Sequence, residues 1–369
     1  SRGRARPSLA LEVDAFKEKL RRDTEGPQRV ERGPGRALQA GQLDELYAYF
    51  RRFVRDRSMY YVVSNIVKPL IAEHEVSYSE LVGPSQIMWY VSHFWGHKFC
   101  ELVESVRRHA EGEGGAAWAR QCYWINSFSH NPYRVMEECG GSWSEASFYI
   151  ALRDKGCCGT CLIVDETAKA MQRSWCLFEL VQTEIASGDR TDFKGLLFCS
   201  HTGVVNYGQA SFEVSVGLAG FLANFDLAHA TATCIEDQDM IKAFVIQQGG
   251  FHKMNQVVRR RVLAALDESE AAAKAKLAYL RAELTATTAA TTSAVAPSPA
   301  SSSTPPALAT ASTATFSTSS TASPSAASPG PRPGAPQGLL QHPRLLGRHA
   351  VGPGAAPSLE GDKDASSAV

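Results

Sequence analysis

Apolar positions change their spacing near residue 87. Before it, Leu43, Leu46, Tyr47, Phe50 and Val54 recur at the three- and four-residue intervals of an amphipathic helix over 42–57. An apolar segment at 62–72 follows, in which Pro69 is expected to kink or end a helix. Ser77-Tyr-Ser-Glu80 has the form of a capping box ahead of Leu81. Residues 36–86 therefore read as a helical preface. From 87 to 200, short β-rich runs at 87–91, 121–125, 161–164 and 193–199 alternate with helical segments at 98–110, 143–152 and 173–186. Phe99, Leu102, Val103 and Val106 line one face of the first of these helices. Strands separated by helices of that length predict βαβ units, right-handed crossovers and an α/β fold with a doubly wound parallel sheet.

Pattern is weaker toward both ends. Residues 1–35 are rich in Arg, Gly and Pro and read as a disordered basic arm carrying a short helix with Leu9, Val13, Phe16 and Leu20 on one face. Acidic residues interleave its basic ones, which favours a solvated arm over one that grips RNA or membrane. Residues 201–283 read as a C-terminal helical extension: 212–223 is apolar with several Gly and Ala, and 236–248 and 255–284 have helical spacing. Whether this region adds a fifth strand or a helical cap is left open by the pattern. Residues 284–369 are dominated by Ala, Ser, Thr and Pro, cannot offset ordering entropy by burial, and read as a disordered tail.

Composition narrows the function classes. A formal net charge of zero over 369 residues gives no electrostatic case for nucleic acid or an anionic membrane. No apolar run is long enough to span a bilayer, and no charged-then-apolar signal segment opens the chain. The first residue is Ser rather than Met, which leaves the natural start open. Nine cysteines, mostly in apolar or helical contexts, suggest reduced thiols and a cytoplasmic protein. Cys157, Cys158 and Cys161 form a CCGTC cluster, but no second C-x-x-C stands at zinc spacing. The cluster reads as a turn feeding the third strand, and no metal or cofactor is expected. His93 and His97, four apart, lack a third ligand.

Chemistry concentrates where the third strand hands over to the third helix. Trp175, Phe178 and Val181 form an apolar stripe, and Glu179 lies off it, near the carboxyl end of a parallel strand, where open α/β sheets bind ligands. Three segments, 90–109 (YVSHFWGHKFCELVESVRRH), 123–131 (YWINSFSHN) and 162–180 (LIVDETAKAMQRSWCLFEL), together carry a resemblance. In that order they resemble the TIR domain, in a divergent form found in multidomain proteins of protists, algae and fungi, over roughly 60–260.

The resemblance implies a flavodoxin-like sheet of order 2-1-3-4-5 and, in some members, hydrolysis of NAD at the nicotinamide–ribose bond, with NAD as substrate rather than cofactor. The family's catalytic glutamate falls on Glu179. A carboxylate there would stabilise the oxocarbenium charge that develops on the ribose, and Trp95 or Phe94 would stack on the nicotinamide ring. Ser92, His93, Phe94 and Trp95 follow the first strand, Asn126 and Phe128 follow the second, and Asp165, Arg173 and Trp175 flank the third crossover; all are candidate substrate-binding residues. Each has a plainer reading: core for Trp175, a cap or core position for His93, a helix cap for Asp165, and a solvated surface carboxylate for Glu179. Asn126 stands where the related pattern has Asp, and Asn131-Pro132 where it often has Asn-Gln. Both departures put activity in question. The competing function is a non-catalytic, self-associating TIR-like module. A different nucleotide-binding fold or a serine hydrolase ranks lower, because G-x-G-x-x-G, Walker A and G-x-S-x-G are absent.

Overall fold

The structure, a computed structural model, describes residues 8–293, with side chains through residue 286. The expected tail beyond residue 293 and the first seven residues of the expected arm lie outside the described residues. Those described fall into two units, one running to Ala272 and a helical stretch from Ala273.

The first unit is an α/β layered body around a six-stranded mixed sheet. Its strands are β1 Leu38–Gln39, β2 Trp89–Ser92, β3 Cys122–Ile125, β4 Gly159–Ile163, β5 Leu196–Ser200 and β6 Gly203–Val204, in the order β1-β3-β2-β4-β5-β6. β3, β2, β4 and β5 run parallel, and the two-residue edges β1 and β6 are antiparallel to their neighbours. The parallel strands were legible as nearly unbroken apolar runs because both faces of the sheet are covered. Side chains alternate between two buried clusters. Tyr90, Trp124, Leu162 and Phe198 face one, whereas Trp89, Val91, Tyr123, Cys161 and Cys199 face the other. Among the described residues no fifth parallel strand follows β5; β6 and then helices occupy that place.

The helices preceding β2 are α1 Leu9–Asp23, α2 Ala40–Val54, α3 Met59–Val62, α4 Lys68–Ile71 and α5 Tyr78–Val82. α6 Phe99–Gly114 joins β2 to β3; α7 Asn126–Ser129, α8 Val135–Cys139 and α9 Ser147–Arg153 join β3 to β4; α10 Ser174–Asp189 joins β4 to β5. α11 Phe212–Ala223, α12 Ile235–Gln247 and α13 Gly250–Ser293 follow. The capping box at α5 forms as expected: Glu80 N donates to Ser77 Oγ at 3.3 Å and Ser77 N donates to Glu80 Oε2 at 2.8 Å.

The turn Val63–Val67 before Pro69 widens to π geometry, with Lys68 N donating to Val63 O, and the helix runs on to Ile71, two residues past the proline. Two expectations are corrected. The helix expected over 98–110 runs on to Gly114. Residues 8–35 are not a disordered arm: α1 buries Val13, Phe16 and Leu20, and Phe16 packs edge-on against Phe50 of α2 with ring centroids 5.2 Å apart. That apolar stripe, not the surrounding charge, decides the fate of the segment.

In the C-terminal extension, Val214, Leu218, Ile241, Phe244, Val258 and Val262 share a cluster with Phe178 of α10. The small residues of α11 permit close approach. A Cβ on Gly217 would lie 2.0 Å from the Glu166 carbonyl oxygen.

Phe16→Ala is expected to destabilise the protein by about 3–5 kcal/mol in denaturant unfolding. A change under roughly 0.5 kcal/mol, the size of a neutral surface substitution, would return the segment to the status of an appended arm.

Candidate functional site

α10 is buried almost all round between residues 174 and 183, because the sheet covers one side and α12 the other. The expected stripe points away from the sheet: Phe178 meets Phe244 of α12 at 4.9 Å. The sheet side of the helix is polar. Thr183 Oγ1 lies 2.8 Å from Thr160 Oγ1 on β4, and one turn earlier Glu179 reaches β2.

Glu179 is 4% exposed. The Tyr90 hydroxyl donates to its Oε1 at 2.5 Å, and the Ser92 hydroxyl donates to its Oε2. Burial raises the carboxyl and the two hydroxyl donors partly oppose it, leaving it pushed up to about 7. A carboxyl that titrates near neutrality can accept a proton or hold a negative charge in the same pH range.

This carboxyl lines a cleft of about 390 Å³, open in part to solvent, at the carboxyl ends of β2 and β3. That figure includes open solvent; the enclosed part is only about 20 Å³, room for about one water. His93, Phe94, Trp95, Asn126, Arg173 and Trp175 line it as well. His93 is buried; its desolvation, with His97 nearby, pushes it down to about 3 and keeps the imidazole neutral. His93 Nε2 has no hydrogen-bond partner. Arg173 places its guanidinium over the Phe94 ring at 5.3 Å and donates to Thr231 and Thr233 at 3.2 Å each. Trp175 Nε1 donates to Asp237 Oδ2 at 3.1 Å, so this residue is at once core, anchor for α12 and cleft wall. Ser92 sits behind the cleft, with its hydroxyl on Glu179.

Two candidates lie elsewhere. Phe128 is fully buried and packs against Tyr78 and Phe99, which makes it a core residue beneath α7. Asp165 sits off the cleft. Burial would raise its carboxyl, but the His97 imidazole and the Thr167 donors outweigh that and hold it well below the usual range. His97 Nε2 is 3.2 Å from Asp165 Oδ2, an ion pair only when the ring carries a proton on both nitrogens. Asn131 is an anchor for the loop after β3: its Nδ2 donates to Glu75 O at 2.8 Å and its Oδ1 accepts from Tyr133 N at 2.9 Å.

Sequence reasoning missed Tyr90, Cys176 and Thr231. Tyr90 was within reach, since it shares the Ser92 face of β2 by the two-residue period. Thr231 was not, because the parallel-type bridge that brings it to Arg173 joins positions 58 residues apart.

The chain was compared with protein-family models, with curated proteins and with solved structures, and matches none of them.

A folded-state value above the free value of glutamate means that the contribution of Glu179 to stability is complete below about pH 4.5 and is lost as pH rises toward about 7. The neutral isostere Glu179→Gln is therefore expected to gain stability relative to the parent across that window, by up to roughly 3 kcal/mol above it. Urea unfolding of both proteins at pH 4.5 and pH 8 checks this, and a difference that does not change with pH would contradict it.

Proposed function

We propose that this chain is a TIR-like domain protein with a flavodoxin-like core, and that its cleft hydrolyses NAD at the nicotinamide–ribose bond through Glu179. The observation that carries this reading is the buried Glu179 carboxyl, held by Tyr90 and Ser92, in a cleft walled by Trp95 at the carboxyl ends of parallel strands. The parallel series β3-β2-β4-β5 runs in the 2-1-3-4 part of the flavodoxin order, which supports the fold assignment.

The chemistry follows from the side chains. The C1′–N1 bond breaks, and its electron pair passes to the pyridinium nitrogen, whose positive charge is thereby neutralised. The ionised Glu179 carboxylate stabilises the ribosyl oxocarbenium ion left behind, in a site where little water screens it. A water oxygen then bonds to C1′ and gives its proton to Glu179, from which it passes to solvent. The products are nicotinamide, ADP-ribose and a proton. The Trp95 face is the stacking surface for the departing ring. His93, neutral and with Nε2 unpaired, is placed to hydrogen-bond a substrate hydroxyl or amide.

A second reading rests on a specific observation. Both Glu179 oxygens are already engaged by donors of the sheet, and the cleft is small for a dinucleotide. In that reading the carboxyl is a structural tie, and the chain is a non-catalytic TIR-like module that self-associates. Among the described residues no helix is long and apolar enough to cross a membrane. None of the nine cysteines is in a disulfide, which supports a cytoplasmic setting for either reading.

Purified full chain at high concentration is expected to release nicotinamide from NAD, and Glu179→Ala to lose at least about 10²-fold of that rate. The rate should rise with pH and level off above about pH 7, as the carboxylate form fills. Asn126→Asp should raise turnover. No release by the parent, with oligomers intact in Glu179→Ala, would establish the module reading instead.

A further inference from the structure

On the face of the sheet opposite α10, α6 crosses β4 and β5 and brings an imidazole over two thiols. A ring nitrogen of His109 and the sulfurs of Cys161 and Cys199 all lie within 4.8 Å of one another. Cys161 is on β4 and Cys199 on the adjacent parallel strand β5. The register pairs Cys161 with Leu197 and Ile163 with Cys199, so the thiols stand diagonally on one face. All three residues are buried, at 0%, 1% and 0% exposure in chain order.

Core packing accounts for the cysteines, since a buried free thiol behaves as a small hydrophobe. It does not account for the histidine. His109 Nδ1 is fixed by the Tyr123 hydroxyl at 2.7 Å, while Nε2 has no hydrogen-bond partner although the ring is wholly enclosed. An unsatisfied buried nitrogen costs roughly 1–3 kcal/mol and calls for a partner. A water would need two to four polar neighbours, and thiols are poor ones. Two sulfurs and an imidazole are instead the donor set preferred by soft metal ions.

We propose that His109, Cys161 and Cys199 form a structural site for a thiophilic d10 cation, Zn²⁺ or Cu⁺, that ties α6 to β4 and β5. The arrangement meets two requirements of such a site. Metal–sulfur bonds of about 2.3 Å place sulfurs roughly 3.8 Å apart in tetrahedral geometry, so the cluster must close by about 1 Å or less. The Tyr123 hydroxyl fixes the ring at Nδ1, as partners of metal-binding histidines do, which leaves Nε2 as the coordinating atom of the proposed site. Metal binding takes the thiol protons from both cysteines, and because all three donors are enclosed, loading belongs to refolding rather than to the closed protein.

Three donors as they stand suit Cu⁺. Zn²⁺ requires a fourth, and Glu113, one turn beyond His109 on α6, would have to leave Lys194 (2.6 Å) and Tyr207 (2.7 Å) to supply it. The site is independent of the NAD reading, because no cleft residue takes part.

The test is to refold the full chain from denaturant under reducing, anaerobic conditions with equimolar Zn²⁺ or Cu⁺, remove free metal and measure metal content. About one ion per chain is expected in the parent and in Cys139→Ala, a buried thiol outside the cluster, and none in Cys161→Ala/Cys199→Ala. Retention of neither ion by the parent, or equal retention by the double variant, would overturn the proposal. Should the double variant not fold, X-ray absorption of the loaded parent decides. Two sulfur scatterers with an imidazole support the site, with a fourth oxygen donor expected for Zn²⁺ and not for Cu⁺; a shell without sulfur overturns it.

Discussion

A carboxyl group inside the molecule, with two hydroxyls as its partners, sets the relation between helix and sheet. Glu179 on α10 can be buried only where donors wait for it, and Tyr90 and Ser92, alternate residues of β2, are those donors. The Thr160–Thr183 contact repeats the tie one turn further along and one strand over. Polar pairs of this kind fix the rotation of α10 in a way that an apolar interface would not, since a helix turned by one residue would leave all of them unpaired. The same burial that makes the contact selective raises the carboxyl toward neutral pH, so positioning and chemical capacity come from one cause.

The cleft in front of this carboxyl is not made by the parallel strands alone. Thr231 reaches Arg173 through a backbone bridge and a side-chain hydrogen bond, and Asp237 holds Trp175 by its indole. Phe244 packs on Phe178 behind them. The helical region after residue 200 therefore builds one wall of the site. On the other side of the sheet, the preface helices and α6 bury a second cluster, and α1 joins it although its sequence is dense in charge.

How much was legible follows from what each signal depends on. Buried parallel strands announce themselves by composition, and β2 to β5 lie within three residues of the runs at 87–91, 121–125, 161–164 and 193–199. Glu179, His93, Trp95, Asn126, Arg173 and Trp175 were read as site residues from their places at strand ends and in the W-C-L-F-E-L helix, and they do line one cleft. Phe128 was misplaced because a residue three beyond a strand can turn under the sheet as readily as over it, and α7 turns it under. Asp165 was drawn to His97 by a pairing across two crossovers that no local pattern records. The π turn before Pro69 and the bridge to Thr231 likewise depend on tertiary packing.

The central claim is that Glu179 is a carboxyl tuned to neutral pH at the cleft, and its own titration tests that most directly. The measurement is the carbon-13 carboxyl shift in glutamate-labelled protein, with the Glu179 signal assigned by its absence from Glu179→Gln. The account predicts a midpoint close to 7. A midpoint near the ordinary glutamate value of about 4.3 would contradict it.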